Sequence, residues 1–275
     1  MKLCGSPEKS NRHTVLAVMI CAVCVFMAFT VTAFAHSTAS RYFTCRVCGH
    51  TFVDAVSVTT SFFGIQLDFM RTGPSPQPWR VNQCPQCKFI VNYGERRPGG
   101  GTYAANEFEE LRRFVLSEEY QSLPEATPSY GYIVKIVEHV GGASDFAMAD
   151  LYRGAFWQTR YMKNGGEPFA GEYLRAMLAC YERCARADHP DLDEKIISRY
   201  MKVEANRRLG QFGLAGNCRE EALAVLESVD RDGLDEGSKK LFATIDLFLE
   251  QQQQHIANRD SGAKEAVFPK AAPLE

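Results

Sequence analysis

Phe43-Thr44-Cys45-Arg46-Val47-Cys48-Gly49-His50 and, further along, Gln83-Cys84-Pro85-Gln86-Cys87 are the two stretches that decide how this chain is read. Each carries a Cys-x-x-Cys pair. One such pair is weak evidence, but two, with Gly49 behind the first and Pro85 inside the second, match the paired turns of a zinc ribbon. A tight turn aims two thiols to one side, and two facing turns complete a sulfur tetrahedron around a d¹⁰ ion. Cys45, Cys48, Cys84 and Cys87 are therefore the candidate metal ligands, with zinc as the expected ion. Four protein ligands leave no open coordination position, so the pattern points to structure rather than hydrolysis.

The N-terminus reads as an export signal. Lys2, Lys9 and Arg12 precede an uncharged run from Val15 to Ala35, and Ala33-Phe34-Ala35 offers small residues at signal-peptidase spacing. Residues 1–35 are thus expected to be a signal peptide cut after Ala35, which places the protein in the periplasm or cell envelope. The apolar run is also long enough, at roughly 20 residues, to act uncut as a signal anchor in the inner membrane. Cys21 and Cys24 lie inside it after Ile20 and Val23, which is poor context for lipidation. Outside the cytoplasm paired thiols are often oxidised, so structural or redox-active disulfides are the competing reading of both pairs. No βαβ pattern surrounds either pair, and a thiol oxidoreductase needs only one of them.

Full-length net charge is -2, and removing Lys2, Glu8, Lys9 and Arg12 with the leader leaves -4. That balance lacks the basic footprint of a nucleic-acid binder. Residues 41–95 read as strands and turns, with strand patterns over 51–59, 64–70, 79–81 and 89–93, and a proline-rich loop over 72–78. A small sheet of this kind, expected over 36–95, gains much of its stability from its ion.

Pro98 and the glycines at 99–101 mark a linker over 96–104. Beyond it the apolar period turns helical over 105–121, 132–140, 145–161, 169–187, 192–209, 219–229 and 238–253. Asp191 with Glu194 makes a capping arrangement, and Gly210 stands where a helix stops. The expected fold is α+β and mainly α: a four-cysteine β segment, then an all-α domain over 105–254. The stretches 173–181, 205–212 and 220–226 have tetratricopeptide character, with small residues where helices nest, although no 34-residue period is present. Residues 255–275 are expected to be a disordered tail.

Phe43-x-Cys45-x-x-Cys48-Gly49-x-x-Phe52, the Pro76–Trp79 loop, Val81-x-x-Cys84-Pro85-x-Cys87 and the helices behind them resemble the bacterial domain-of-unknown-function 2225 family. The resemblance covers most of residues 41–230 and implies a zinc-ribbon-plus-helices architecture without an established reaction. Lys88 and Phe89 follow the second pair where that family has Gly and an aromatic, which predicts a less ideal second turn. The same cysteine segments also look like the metal loops of rubredoxins, which implies one iron and single-electron transfer as the alternative.

Other chemistry-bearing residues have plain readings. Cys180, Cys184 and Cys218 read as buried small hydrophobes rather than a second thiol cluster. His50 reads as a loop residue beside the first turn, His139 as a helix-end cation, and Glu109, Glu110, Arg112 and Arg113 as a solvated helix face. No serine-hydrolase, phosphate-loop or His-Glu-x-x-His motif is present. The function expected from the sequence is a non-enzymatic, exported metal-binding protein with a protein or peptide partner on its helical domain, no nucleic acid, and membrane contact only through an uncut leader.

Overall fold

The computed structural model describes residues 37–75, 77–91, 101–162, 166–186 and 191–268. The leader and most of the glycine-bearing linker lie outside these residues. An antiparallel ribbon comes first, β1 (Thr38–Thr44) with β2 (Thr51–Ser57), registered so that Phe43 faces Phe52 and Tyr42 faces Val53. A two-residue hairpin follows, β3 (Gly64–Ile65) with β4 (Arg71–Thr72), in a separate sheet. Eight helices are then described: α1 (Ala105–Val115), α2 (Glu118–Gln121), α3 (Ser129–Val140), α4 (Asp145–Thr159), α5 (Gly166–Arg186), α6 (Leu192–Arg208), α7 (Phe212–Ser228) and α8 (Glu236–Ala257). The chain is mainly helical, with small two-stranded sheets beside the four cysteines, as expected.

Several boundaries differ from the sequence pattern for local reasons. The single helix expected over 105–121 breaks at Ser117, whose hydroxyl caps α2 by accepting the Tyr120 amide at 3.4 Å. Helix α7 starts at Phe212 rather than 219, because Gly213 and Gly216 lower helix propensity without stopping a helix that packs on α6 and α8. The strand expected over 64–70 turns back at Leu67. Where strands are expected over 79–81 and 89–93, the described residues 79–81 and 89–91 form irregular chain with an isolated Gln83–Ile90 bridge. Strand β1 was not foreseen.

The helices meet in chain order, α3 on α4, α4 on α5, α5 on α6 and α6 on α7, while α8 closes against α6 and α7. Two apolar cores result, and they do not follow the division expected at 96–104. One joins the cysteine turns to α1 and α3 through Val47, Val81, Phe89, Ile90, Phe108, Leu111, Phe114 and Ile133. The other is formed by the later helices, with Leu67 and Met70 from the β3–β4 hairpin buried among them. The Tyr200 hydroxyl donates to the Leu67 carbonyl, and Arg160 pairs with the buried Asp68.

The disordered tail expected from 255 is corrected over the described part. Helix α8 runs to Ala257, and beyond it Leu67 donates to Lys264 O at 2.9 Å while Ala266 donates to Ile65 O at 2.8 Å. Buried Arg207 fixes the turn between by donating to the carbonyls of Asp260, at 2.5 Å, and Gly262, at 3.0 Å. Main-chain partners of this kind leave no trace in composition.

Candidate metal centre

Each cysteine pair sits on a turn with the same hydrogen bonds. In the first, Gly49 donates to Cys45 O at 2.8 Å and Cys45 donates to His50 O at 2.9 Å; in the second, Lys88 donates to Cys84 O at 2.9 Å and Cys84 donates to Phe89 O at 2.8 Å. The residue after each pair takes a left-handed conformation, Gly49 at φ 77° and Lys88 at φ 62°. Backbone amides also reach the sulfurs: Val47 and Cys48 toward Cys45, His50 toward Cys48, and Phe89 toward Cys87. The less ideal second turn predicted from Lys88 is therefore corrected. Its backbone follows the first turn, with Lys88 forced into the region that glycine occupies freely.

The two turns face one another. Cys45 Sγ lies 3.5 Å from Cys87 Sγ, and Cys48 Sγ lies 3.6 Å from Cys84 Sγ. All four sulfurs fall within 4.8 Å of one another, and all four thiols are free. Sulfurs placed about 2.3 Å from a tetrahedral zinc are about 3.8 Å apart, so this donor set fits a four-thiolate ion by chemistry and by spacing. Cys45, Cys84 and Cys87 are buried, and Cys48 is partly exposed.

Burial raises the Cys45 and Cys87 thiols above their ordinary range. At Cys48 burial pushes the same way, but the His50 amide and the neighbouring thiols outweigh it and the pKa is lowered. Four thiolates so close together, three of them buried, repel one another, and a divalent cation is the group that makes the fully deprotonated set stable. Iron and zinc both accept these donors.

The first helices hold both turns from behind. Arg112 Nε donates to Val47 O at 2.8 Å, and the Arg46 guanidinium lies 4.3 Å over the Phe108 ring. The Tyr120 hydroxyl donates to Lys88 O at 3.2 Å, and Gln121 Nε2 donates to Cys87 O at 2.9 Å. Sequence patterns missed these positioning residues. Arg112 was read as part of a solvated face, where it does approach Glu109 at 3.4 Å, but its Nε is committed to the first turn.

The remaining candidates do not join the site. The imidazole of His50 stacks near Phe52, at 6.3 Å between centroids, and only its backbone serves the sulfurs. His139 stacks on Phe114 at 3.9 Å in the last turn of α3. Cys180 and Cys184 are buried in the helical body, Cys180 accepting from Arg183 at 3.2 Å, while Cys218 accepts from Asn206 at 3.8 Å. Among the described residues the four-cysteine group is the one cluster with metal-ligand spacing.

No family model, curated protein or solved structure matches the chain. The likeness to the domain-of-unknown-function 2225 family and to rubredoxin loops therefore rests on the cysteine pairs and their surroundings alone.

Proposed function

We propose that the chain is an exported, non-enzymatic interaction protein in which zinc on Cys45, Cys48, Cys84 and Cys87 acts as a folding staple. The observation that carries this reading is the attachment of both turns to the helices through Arg112, Tyr120 and Gln121, each of which holds a turn carbonyl. An ion that fixes the two turns together also fixes the face on which α1 and α3 pack. A closed set of four sulfurs adds no site for substrate. Export rests on the leader pattern at 1–35.

A protein or peptide partner is the ligand class for the helical body. A cleft of about 510 Å³ lies between the proline-rich loop, the start of α3 and the end of α4, lined by Pro78, Trp79, Arg80, Pro128, Gln158 and Tyr161 among others. Exposed aromatics beside prolines and polar groups suit an extended peptide. The packing of consecutive helices is compatible with tetratricopeptide-type pairing.

A second reading is supported by the partial exposure of Cys48, which would bring one edge of a four-sulfur iron centre close to solvent for electron transfer. Elemental analysis and a visible spectrum of protein recovered from the cell envelope separate the readings. One zinc per chain, no visible band and four cysteines protected from alkylation support the staple. A charge-transfer band that bleaches on reduction assigns iron and the rubredoxin-like role. Absence of metal with a Cys45–Cys48 disulfide overturns both and leaves a thiol-disulfide protein.

A further inference from the structure

Among the described residues Leu116, Tyr161 and Leu214 are exposed singly along the helical part, whereas the other exposed apolar side chains before the helices fall in one stretch of chain. Tyr42, Val53, Val58, Phe62, Phe63 and Trp79 all lie on the ribbon or in the segment that follows it. Val58, Phe62 and Phe63 are 61 %, 54 % and 74 % exposed, and they cluster in sequence at the end of the ribbon where Thr38 faces Ser57. Ser37 is tied to that end, donating its amide to Thr59 Oγ1 at 3.1 Å and accepting the Val58 amide at 2.9 Å.

The loop is pinned rather than slack. Phe63 donates to Thr72 O at 3.1 Å and Ser75 donates to Ser61 O at 3.4 Å, so the rings are held outward by main-chain bonds. Beyond Ala266 the chain turns away to α8, where the Val267 amide donates to Gln251 Oε1 at 2.9 Å and the Phe268 ring lies 6.0 Å from that of Phe248, so neither residue joins this surface. The exposed Arg71 guanidinium lies 4.4 Å over the Phe62 ring, and Glu265, accepting from the Thr72 hydroxyl at 3.3 Å, is the acidic group at the edge.

The sequence immediately before Ser37 points to what covers this surface. The uncharged run from Val15 to Ala35 stops two residues before Ser37. Whatever holds that run holds the Ser37–Thr59 end of the ribbon next to it. Aromatic rings at the boundary between water and hydrocarbon, with a guanidinium able to reach phosphate, are the side chains that favour a bilayer interface.

We propose that Val58, Phe62 and Phe63 form a bilayer-contacting surface, with the 15–35 run uncut in the membrane and Arg71 directed to lipid phosphate. The ribbon then stands on the membrane with the cysteine turns at its far end, about 20 Å away along a strand of this length. This rests on the export reading with the leader retained.

The test uses the full chain reconstituted into phosphatidylcholine–phosphatidylglycerol vesicles, with and without brominated lipid. Two single variants are compared with the parent: Phe63→Trp in the surface and Tyr42→Trp toward the metal end. The added Phe63→Trp emission should be blue-shifted and lose most of its intensity to brominated lipid, while the added Tyr42→Trp emission should be quenched by aqueous iodide instead. A chain that stays with the vesicles through alkaline carbonate washing, but whose Phe63→Trp probe is as accessible to iodide as Tyr42→Trp, overturns the surface and leaves the anchor standing. A chain recovered without residues 1–35 that does not sediment with vesicles overturns both.

Discussion

Lys88 shows how a residue type can hide a backbone requirement. Glycine at 49 announces a left-handed turn, whereas lysine at 88 announces nothing, yet the two occupy equivalent places at φ 77° and φ 62°. Holding an L side chain in that region costs about 1–2 kcal/mol, and glycine gives back about 0.4–1 kcal/mol through its freer unfolded chain. Lys88→Gly should therefore keep its metal and match the parent or exceed its stability by up to about 1 kcal/mol in urea unfolding. By the same balance Gly49→Ala should lose up to about 1 kcal/mol for backbone reasons alone, since a Cβ there meets nothing within 4 Å. The four ligands were legible because sulfur at fixed spacing has few other uses. Arg112, Tyr120 and Gln121 were not, because each bonds a main-chain carbonyl 32 to 65 residues away, and any residue can supply a carbonyl.

Among the elements, α6 and α8 carry the polar interaction with most at stake. The Arg207 and Glu204 side chains are 0 % and 2 % exposed and pair at 2.7 Å, Gln252 donates to Glu204 at 2.5 Å, and Arg207 also holds the chain after α8. Arg207→Met strands a buried carboxylate and frees the tail, and should cost about 3–5 kcal/mol in equilibrium unfolding. Replacing Glu204 with Leu in the same chain should recover much of that loss, because the stranded charge is removed. His255, in the last turn of α8, is lowered below its ordinary range by burial first and by Arg207 second, with Asp260 at 3.7 Å opposing. A histidine depressed in the fold binds protons more readily when unfolded, so its contribution falls as pH drops from about 6.5 toward the folded value. His255→Gln should flatten the pH dependence of unfolding over that window, and an unchanged slope would reject the assignment. Helical periods were readable because α3 to α8 each bury a face. The short β3–β4 hairpin was not readable as a core element, since apolar Leu67 and Met70 look the same in a strand as in a tip inserted among helices.

Over the whole molecule, the mainly helical class was legible from apolar period, but the partition was not. Composition changes sharply near 96–104, and that change tracks the switch from turns to helices rather than a break between cores. The metal turns share their core with α1 and α3, while the hairpin between them in sequence belongs to the helical body. The ion is thus expected to govern the first core more than the second. Binding of zinc to small four-ligand sites contributes about 10–16 kcal/mol, enough to decide whether such a core forms. Hydrogen exchange on the full chain before and after chelation tests this most directly. With metal removed, amides in 45–54, 81–91 and α1 to α3 should lose protection while α5 to α8 keep theirs. Unchanged protection around both cysteine turns after verified loss of a bound ion would contradict the staple, and so would a chain that carries no ion to remove.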